Sequence, residues 1–74
     1  MKIIDGKTFG AAIREYRKKQ NATQVQIAAA ANTGARFIGD LENGKPTVQL
    51  EKALHVANIL GLNIVVLSSE GESK

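Results

Sequence analysis

The chain has 74 residues, a hydrophobic content of 43%, one Pro and no Cys. From this length we expect one small domain with a single modest core and no second domain. The lack of Cys excludes disulfides, thiolate zinc sites and thiol nucleophiles, and ten Lys and Arg against seven Asp and Glu leave a mild net charge of +3.

Only two Phe and one Tyr are present, so the core must consist of Ala, Leu, Ile and Val. Small apolar residues at helical spacing suit short helices that pack closely, and we predict an all-α bundle. No apolar run approaches the ~20 residues of a membrane span, and Met1-Lys2-Ile3-Ile4 is broken at Asp5-Gly6, unlike a signal peptide. We expect a soluble, cytoplasmic protein with no membrane contact.

Residues 1–6 precede the helical part of the chain as an arm or a short strand, because Lys2-Ile3-Ile4 fits either. From about Lys7 to Gln20 apolar residues recur on one helical face, and Thr8 is the expected N-cap. Gly10 is an unfavourable residue inside this first helix. The apolar face consists of Phe9, Ala12, Ile13 and Tyr16.

The central stretch Thr23–Gly44 holds two short amphipathic segments joined by a polar break at Asn32-Thr33-Gly34. Thr23 can cap the second helix, and the small residues Ala28–Ala31 let another helix cross close to its backbone. Asn32 tolerates the left-handed conformation that often ends a helix. This pattern is typical of a helix-turn-helix.

The third helix is expected to start after Gly34, with Ile38 and Leu41 anchoring it one turn apart. Its opposite face combines small residues with one Arg, which suits a helix that lies in a DNA groove. That outer face consists of Ala35, Arg36, Gly39 and Asp40.

Asn43-Gly44-Lys45-Pro46 is a strong helix stop, and Thr47 is the expected cap of a fourth helix that ends at Gly61. Val56 and Ile59 widen its apolar surface to one side, which indicates either simple core filling or a homodimer. The apolar stripe of this helix is predicted as Leu50, Ala53, Leu54, Ala57 and Leu60.

Residues 63–67, Asn-Ile-Val-Val-Leu, are mostly β-branched and apolar, and the short run favours a strand. Its partner is either Lys2-Ile3-Ile4 or the same strand of a second chain, and we favour the second. Residues 68–74 are polar and expected to be disordered. The predicted dimerisation residues are Val56, Ile59, Ile64, Val65, Val66 and Leu67.

The stretch from Phe9 to Leu62 resembles the helix-turn-helix of phage repressors and Cro proteins, the Xre family. The resemblance implies a lambda-repressor-like bundle of about four to five short helices with a C-terminal strand for dimerisation, residues 7–62 forming the DNA-binding domain. It is carried by Arg17, Thr23-Gln24, Ile38 and Leu41-Glu42-Asn43-Gly44-Lys45.

Within that family, Gly10–Arg14, Ala35–Thr47 and the strand after Gly61-Leu62 are similar to HipB-type antitoxins. This closer resemblance implies a sequence-specific repressor of double-stranded DNA that binds a pseudo-palindromic operator as a homodimer. It also implies a HipA-type kinase toxin as partner and autoregulation of the shared operon. The alternatives are a stand-alone Xre-family repressor without a toxin, and a dimeric helical adaptor that does not bind DNA.

The resemblance also implies roles for single residues. Arg17 and Glu42 match an internal ion pair that aims Arg17 toward the DNA backbone. Gln24 matches a phosphate contact that also braces the third helix. Further phosphate contacts are assigned to Thr23, Asn43 and Lys45.

Base readout is assigned to Arg36 and Asp40, and an Arg can bind both O6 and N7 of guanine. Asp40 lies four residues after Arg36, so it could also hold that side chain in its reading conformation. Gly34 and Ala35 stand where longer polar readers are common, which leaves only slight contacts such as one to a thymine methyl group. Specificity should therefore depend on Arg36 and on DNA shape.

No enzyme is indicated, because the only His, His55, has no motif around it and Cys is absent. We expect neither a cofactor nor a metal site.

Overall fold

The computed structural model describes residue 3 and residues 5–63. Within these residues the fold is all-α, as predicted, with four helices and no strand: α1 Gly6–Lys19, α2 Gln24–Ala30, α3 Ala35–Glu42 and α4 Leu50–Ile59. The predicted dimerisation strand lies outside the described residues except for Asn63, as does the predicted tail. None of the described helices is long and apolar enough to cross a membrane.

α1 begins at Gly6, and its N-cap is Asp5 rather than the predicted Thr8. The Asp5 carboxylate accepts the backbone N–H of Thr8 at 2.9 Å, while the Thr8 hydroxyl accepts the N–H of Asp5 at 3.1 Å. The hydrogen bond from the Thr8 backbone lowers the pKa of Asp5. An ionised carboxylate accepts hydrogen bonds more strongly than a protonated one. Thr8, the third residue of α1, completes a reciprocal capping box with Asp5.

α4 begins at Leu50, so the prediction that Thr47 caps it was wrong. The chain first makes a further turn, in which the N–H of Val48 donates to the carbonyl of Lys45 at 3.5 Å. Gln49 occupies the cap position and makes no capping hydrogen bond with its side chain. The turn after Lys45-Pro46 therefore takes up two residues that the prediction assigned to the helix.

The apolar stripe of α4 also differs from the prediction. Leu50 and Leu54 are 67% and 40% exposed, whereas Val56 is only 1% exposed. Val56 packs in the core of its own chain, which corrects its assignment to a dimer interface, because no surface remains for a second copy. The inward residues follow helical spacing and are Ala53, Val56, Ala57 and Leu60.

The core lies where α3 packs against α1 and α2, with α4 closing the side next to α2. Its largest fully buried side chains are Ile13, Ile38, Leu41 and Val56. The Gln20 amide at the end of α1 donates to the Leu60 carbonyl at 2.7 Å and so ties α1 to the end of α4.

Gly10, which the sequence marks only as a poor helix former, allows α1 to touch the end of α3. A Cβ added there would lie 2.7 Å from the carbonyl oxygen of Glu42 and closer still to that of Leu41. Gly44 likewise lies close to Lys7, because a Cβ added at Gly44 would be 2.7 Å from the Cα of Lys7. Its φ of +75° is one that residues with a side chain rarely adopt. Backbone packs on backbone here, and this brings Arg17 within reach of Glu42.

Candidate nucleic-acid interface

α2 and α3 are joined by a tight turn in which Asn32 has a φ of +57°, so its predicted left-handed conformation is confirmed. The N–H of Thr33 donates to the carbonyl of Ala28 at 2.8 Å, which closes the end of α2. α3 then starts at Ala35 with Gly34 as N-cap, as predicted. The two helices and this turn form a helix-turn-helix.

Thr23 is the N-cap of α2, as predicted, and its hydroxyl accepts the N–H of Gln26 at 3.0 Å. The Gln26 side chain accepts the N–H of Thr23 at 2.8 Å, so the two residues form a capping box. The Thr-x-x-Gln spacing is the sequence signal that indicates this box. The cap sets where α2 begins, and it places Gln24 in the first turn.

The structure brings Arg17, Glu42 and Gln24 together where the first three helices meet. The Glu42 carboxylate accepts two hydrogen bonds from the Arg17 guanidinium, at 2.5 and 2.9 Å, and one from the Gln24 amide at 3.1 Å. The Arg17 and Glu42 side chains are 10% and 4% exposed. The ion pair implied by the family resemblance is therefore present and nearly buried, and Gln24 braces α3 through Glu42.

Burial alone would raise the pKa of Glu42, but the hydrogen bonds from Arg17 and Gln24 outweigh it and hold this pKa below 4.5. The positive charge of Arg14 acts in the same direction. The hydrogen bond to Glu42 likewise raises the pKa of Arg17. The pair is thus ionised at neutral pH, and it fixes the end of α3 relative to α1 and α2.

Arg17 was also predicted to contact phosphate, and here the structure corrects the prediction. Its third guanidinium nitrogen donates to the Ala22 carbonyl at 2.9 Å, so all three nitrogens have partners inside the protein. The residue is buried. Arg17 positions the helices, and a phosphate has no open access to it.

On the outer face of α3, Arg36 is exposed and makes no ion pair within residues 5–63. Asp40 does not pair with it. The Asp40 carboxylate instead lies 3.5 Å from the Lys45 ammonium, a pairing that the sequence reading did not foresee. Ala35 is half-buried against the core and Gly34 is exposed, so these two contribute little beyond space on this face.

The expected phosphate contacts lie around the ends of these helices. Thr23 and Asn43 are exposed, and Gln24 is partly exposed beside Glu42. Asn43 follows Glu42 directly as the C-cap of α3. The structure thus gathers Gln24 and Asn43 next to the buried ion pair, while Lys45 stands with Asp40 on the outer face of α3.

Arg14 and Lys52 also belong to this region, although no site role was predicted for either of them. Arg14 lies close enough for its charge to lower the pKa of Glu42, and its position three residues before Arg17 was the available signal. The Lys52 ammonium lies 5.9 Å from the centre of the half-buried Phe37 ring. No sequence pattern links Lys52 to Phe37, because Lys52 lies on α4 and Phe37 on α3.

The two short helices are joined by a tight turn, are braced by a buried ion pair and present the exposed Arg36. This arrangement is that of a helix-turn-helix DNA-binding protein. The model of the helix-turn-helix family matches residues 13–67. The chain therefore belongs to this family, and it is a transcriptional regulator of the Xre type. The family comprises DNA-binding regulators and is not a class of enzymes.

Relatives of known sequence agree with this assignment. An uncharacterized HTH-type transcriptional regulator of Sinorhizobium fredii, y4mF, is 49% identical over 60 residues, which cover 81% of this chain and 79% of that protein. An immunity repressor protein of Bacillus phage phi105 is 32% identical over 63 residues, covering 85% of this chain and 44% of the repressor.

Among solved structures, the fold is similar to that of HipB in a complex with an O4 20-mer, with a TM-score of 0.84. HipB in the HipA-HipB-O2-O3 complex gives the same score. In both cases 95% of this chain and 99% of the other are covered at 18% sequence identity. The likeness at this identity is one of fold, and it confirms the HipB-like arrangement of the helices expected from the sequence.

Proposed function

We propose that this regulator is a sequence-specific repressor that binds a pseudo-palindromic operator as a homodimer. The observation that carries the proposal is the outer face of α3, where Arg36 is exposed and has no ion pair among residues 5–63. Arg17 and Glu42 brace this helix. In this arrangement α3 of each protomer enters the major groove, and the two half-sites lie about one helical turn apart.

The roles follow from where each group lies. Gln24, Asn43, Lys45 and the hydroxyl of Thr23 stand near the helix ends, where they contact phosphates and set the register of α3 on the duplex. Arg36 in the first turn of α3 and Asp40 in its last turn are the proposed base readers, and a bidentate Arg selects guanine. Gly34 and Ala35 leave room for the groove wall and add at most an apolar contact.

The test is a gel-shift titration against the DNA upstream of the protein's own coding region, with a scrambled duplex of equal length beside it. Arg36→Ala should cost roughly 1–3 kcal/mol on the upstream duplex and relax the sequence preference. Lys45→Ala should weaken binding to the upstream duplex and reduce the salt dependence of that binding by about one unit of slope.

Lys19→Ala is the matched control, because it removes one positive charge that already pairs with Glu15 at 3.5 Å on α1. It should change neither affinity nor preference. Equal losses on both duplexes for Arg36→Ala would contradict its role in base readout. If the wild-type protein binds no duplex even at low salt, the result would favour the alternative of a dimeric adaptor that does not bind DNA. The small residues Gly34, Ala35 and Gly39 on and before α3 are the argument for that alternative.

The repressor is further proposed to be the antitoxin of a toxin–antitoxin operon, acting in the cytoplasm with a HipA-type kinase toxin as partner. The HipB-like fold supports this, since HipB has been solved in a complex with HipA. A kinase-like reading frame beside the gene, whose product co-purifies with this chain, is the expected result. The similarity to a phage immunity repressor favours the alternative of a stand-alone repressor, which predicts no such neighbour and no such complex.

A further inference from the structure

Asp40 and Lys45 are held together twice, by their side chains and by the backbone. The Lys45 ammonium lies 3.5 Å from the Asp40 carboxylate, and the N–H of Lys45 donates to the carbonyl of Asp40 at 3.0 Å. Gly44 makes this possible, because its φ of +75° turns the chain back over the last turn of α3. The backbone hydrogen bond therefore keeps the two side chains close to each other, although they remain half to one-third exposed.

Under the proposed function, a DNA phosphate and the Asp40 carboxylate compete for the Lys45 ammonium. A phosphate needs the Lys45 ammonium that Asp40 now holds. If Lys45 moves to a phosphate, Asp40 is left as an unpaired carboxylate that faces a polyanion, which is unfavourable. The base-edge group that relieves this is the N4 amino group of cytosine, which donates a hydrogen bond to an Asp carboxylate.

We infer that Asp40 and Lys45 form an exchange pair that couples phosphate binding to the recognition of one cytosine in each half-site. Where cytosine faces Asp40, the carboxylate accepts its amino group and Lys45 is released to a phosphate. Where another base faces Asp40, Lys45 stays with the carboxylate and one phosphate contact is lost. This inference rests on the proposed DNA binding, and it makes Asp40 a specificity-determining residue that chiefly weakens binding to incorrect DNA.

Arg36 does not share in this exchange. It lies one turn before Asp40, yet it forms no ion pair within residues 5–63, while the carboxylate of Asp40 faces Lys45. Arg36 is thus free to read its base whether or not the exchange occurs. The contributions of the two readers to specificity should therefore be close to additive.

The experiment compares Asp40→Asn with Glu15→Gln as the matched control. Both substitutions remove one negative charge and one exposed ion pair with a separation of 3.5 Å, but Glu15 lies on α1, away from the outer face of α3. Affinity is measured against salt concentration on the upstream duplex, on a scrambled duplex and on upstream duplexes carrying single base-pair changes. Thermal unfolding of each variant verifies that it is folded.

Asp40→Asn should bind the scrambled duplex several-fold more tightly than wild type, with a salt slope steeper by about one, because Lys45 is now always available. It should also lose the preference for cytosine at one position of each half-site. The double variant Asp40→Asn, Lys45→Ala should not show this steeper salt slope, because the Lys45 ammonium that would make the extra phosphate contact is absent.

Equal effects of Asp40→Asn and Glu15→Gln on the scrambled duplex would overturn the exchange pair, since only overall charge would then matter. An unchanged base preference in Asp40→Asn would overturn the cytosine assignment. These results are distinct from a failure of the proposed function, in which the wild-type protein itself shows no preference for the upstream duplex.

Discussion

Glu42 joins three helices through one carboxylate. It comes from the end of α3, accepts two hydrogen bonds from Arg17 on α1 and one from Gln24 on α2, and its side chain is 4% exposed. A buried ion pair adds little net stability compared with apolar packing, but the removal of one partner is costly. Its main effect here is geometric, because it sets the end of the recognition helix.

Glu42→Gln should destabilise the fold by about 1–3 kcal/mol at pH 7, because the Arg17 guanidinium loses its counter-charge in a buried position. The pKa of Glu42 is lowered in the fold, so its stabilising effect is complete above its ordinary value of 4.5 and is lost as the pH falls through the lower, folded-state pKa. The gap between wild type and variant in urea unfolding should therefore close toward pH 3. A gap that stays constant from pH 7 to pH 3 would contradict this.

Gly10→Ala tests the contact between α1 and α3. Alanine is the better helix former by about 1 kcal/mol, yet its Cβ would overlap the carbonyl oxygens of Leu41 and Glu42. We expect a net loss of about 1–3 kcal/mol in the free energy of unfolding, measured by urea titration. The control is Gly39→Ala on α3, where the nearest atom lies 3.8 Å away, and this change should stabilise the protein. A stabilised Gly10→Ala variant would refute the close contact.

At the level of the element, α2 has only seven residues and depends on its cap. Helices this short are marginal on their own, so a reciprocal capping box accounts for a large part of the local stability. Thr23→Ala should lower the free energy of unfolding by about 1 kcal/mol, and Thr23→Ser should retain most of it. Amide hydrogen exchange should rise chiefly in the first turn of α2. A uniform rise along the whole chain would point to a global effect instead.

The sequence predicts the existence of α4 correctly, but it does not predict which face of this helix packs against the core. Its existence followed from the apolar residues between Pro46 and Gly61, but those residues cover more than one face. Leu50 and Leu54 fit an inward stripe as well as Val56 does when each helix is considered alone. Packing against α2 selects Val56, because only one face of α4 can lie against the small residues of that helix.

For the whole molecule, the apolar surface left outside the core is the feature to test. Ile59, a proposed dimerisation residue, remains 38% exposed near the end of α4. Ile59→Lys should convert the proposed dimer into a monomer in sedimentation equilibrium and weaken operator binding, because each protomer alone contacts one half-site. Val25→Lys is the control in sedimentation, since Val25 is 66% exposed on α2 and lies outside the proposed interface. Identical masses for both variants and wild type would argue against this interface.

Local signals in the sequence were sufficient for much of the fold and for part of the site. Thr23 as a cap, Asn32 in a left-handed turn and the start of α3 after Gly34 all depend on backbone preferences within a few residues. The pairing of Arg17 with Glu42 spans 25 residues, and it could be expected only because a family pattern preserves it. No local rule would have joined these two residues.

The remaining features depend on which surfaces meet in three dimensions. Glycine at position 10 lowers the helix propensity of α1, yet the fold requires it. Any larger side chain at Gly10 would overlap the carbonyl groups at the end of α3. Arg17 carries the charge of a phosphate ligand, but burial commits its donors to Glu42 and Ala22. Asp40 is one helical turn from Arg36, yet the turn at Gly44 brings Lys45 to it instead. Propensity acts over one or two turns of chain, whereas burial and charge pairing are set by neighbours distant in sequence.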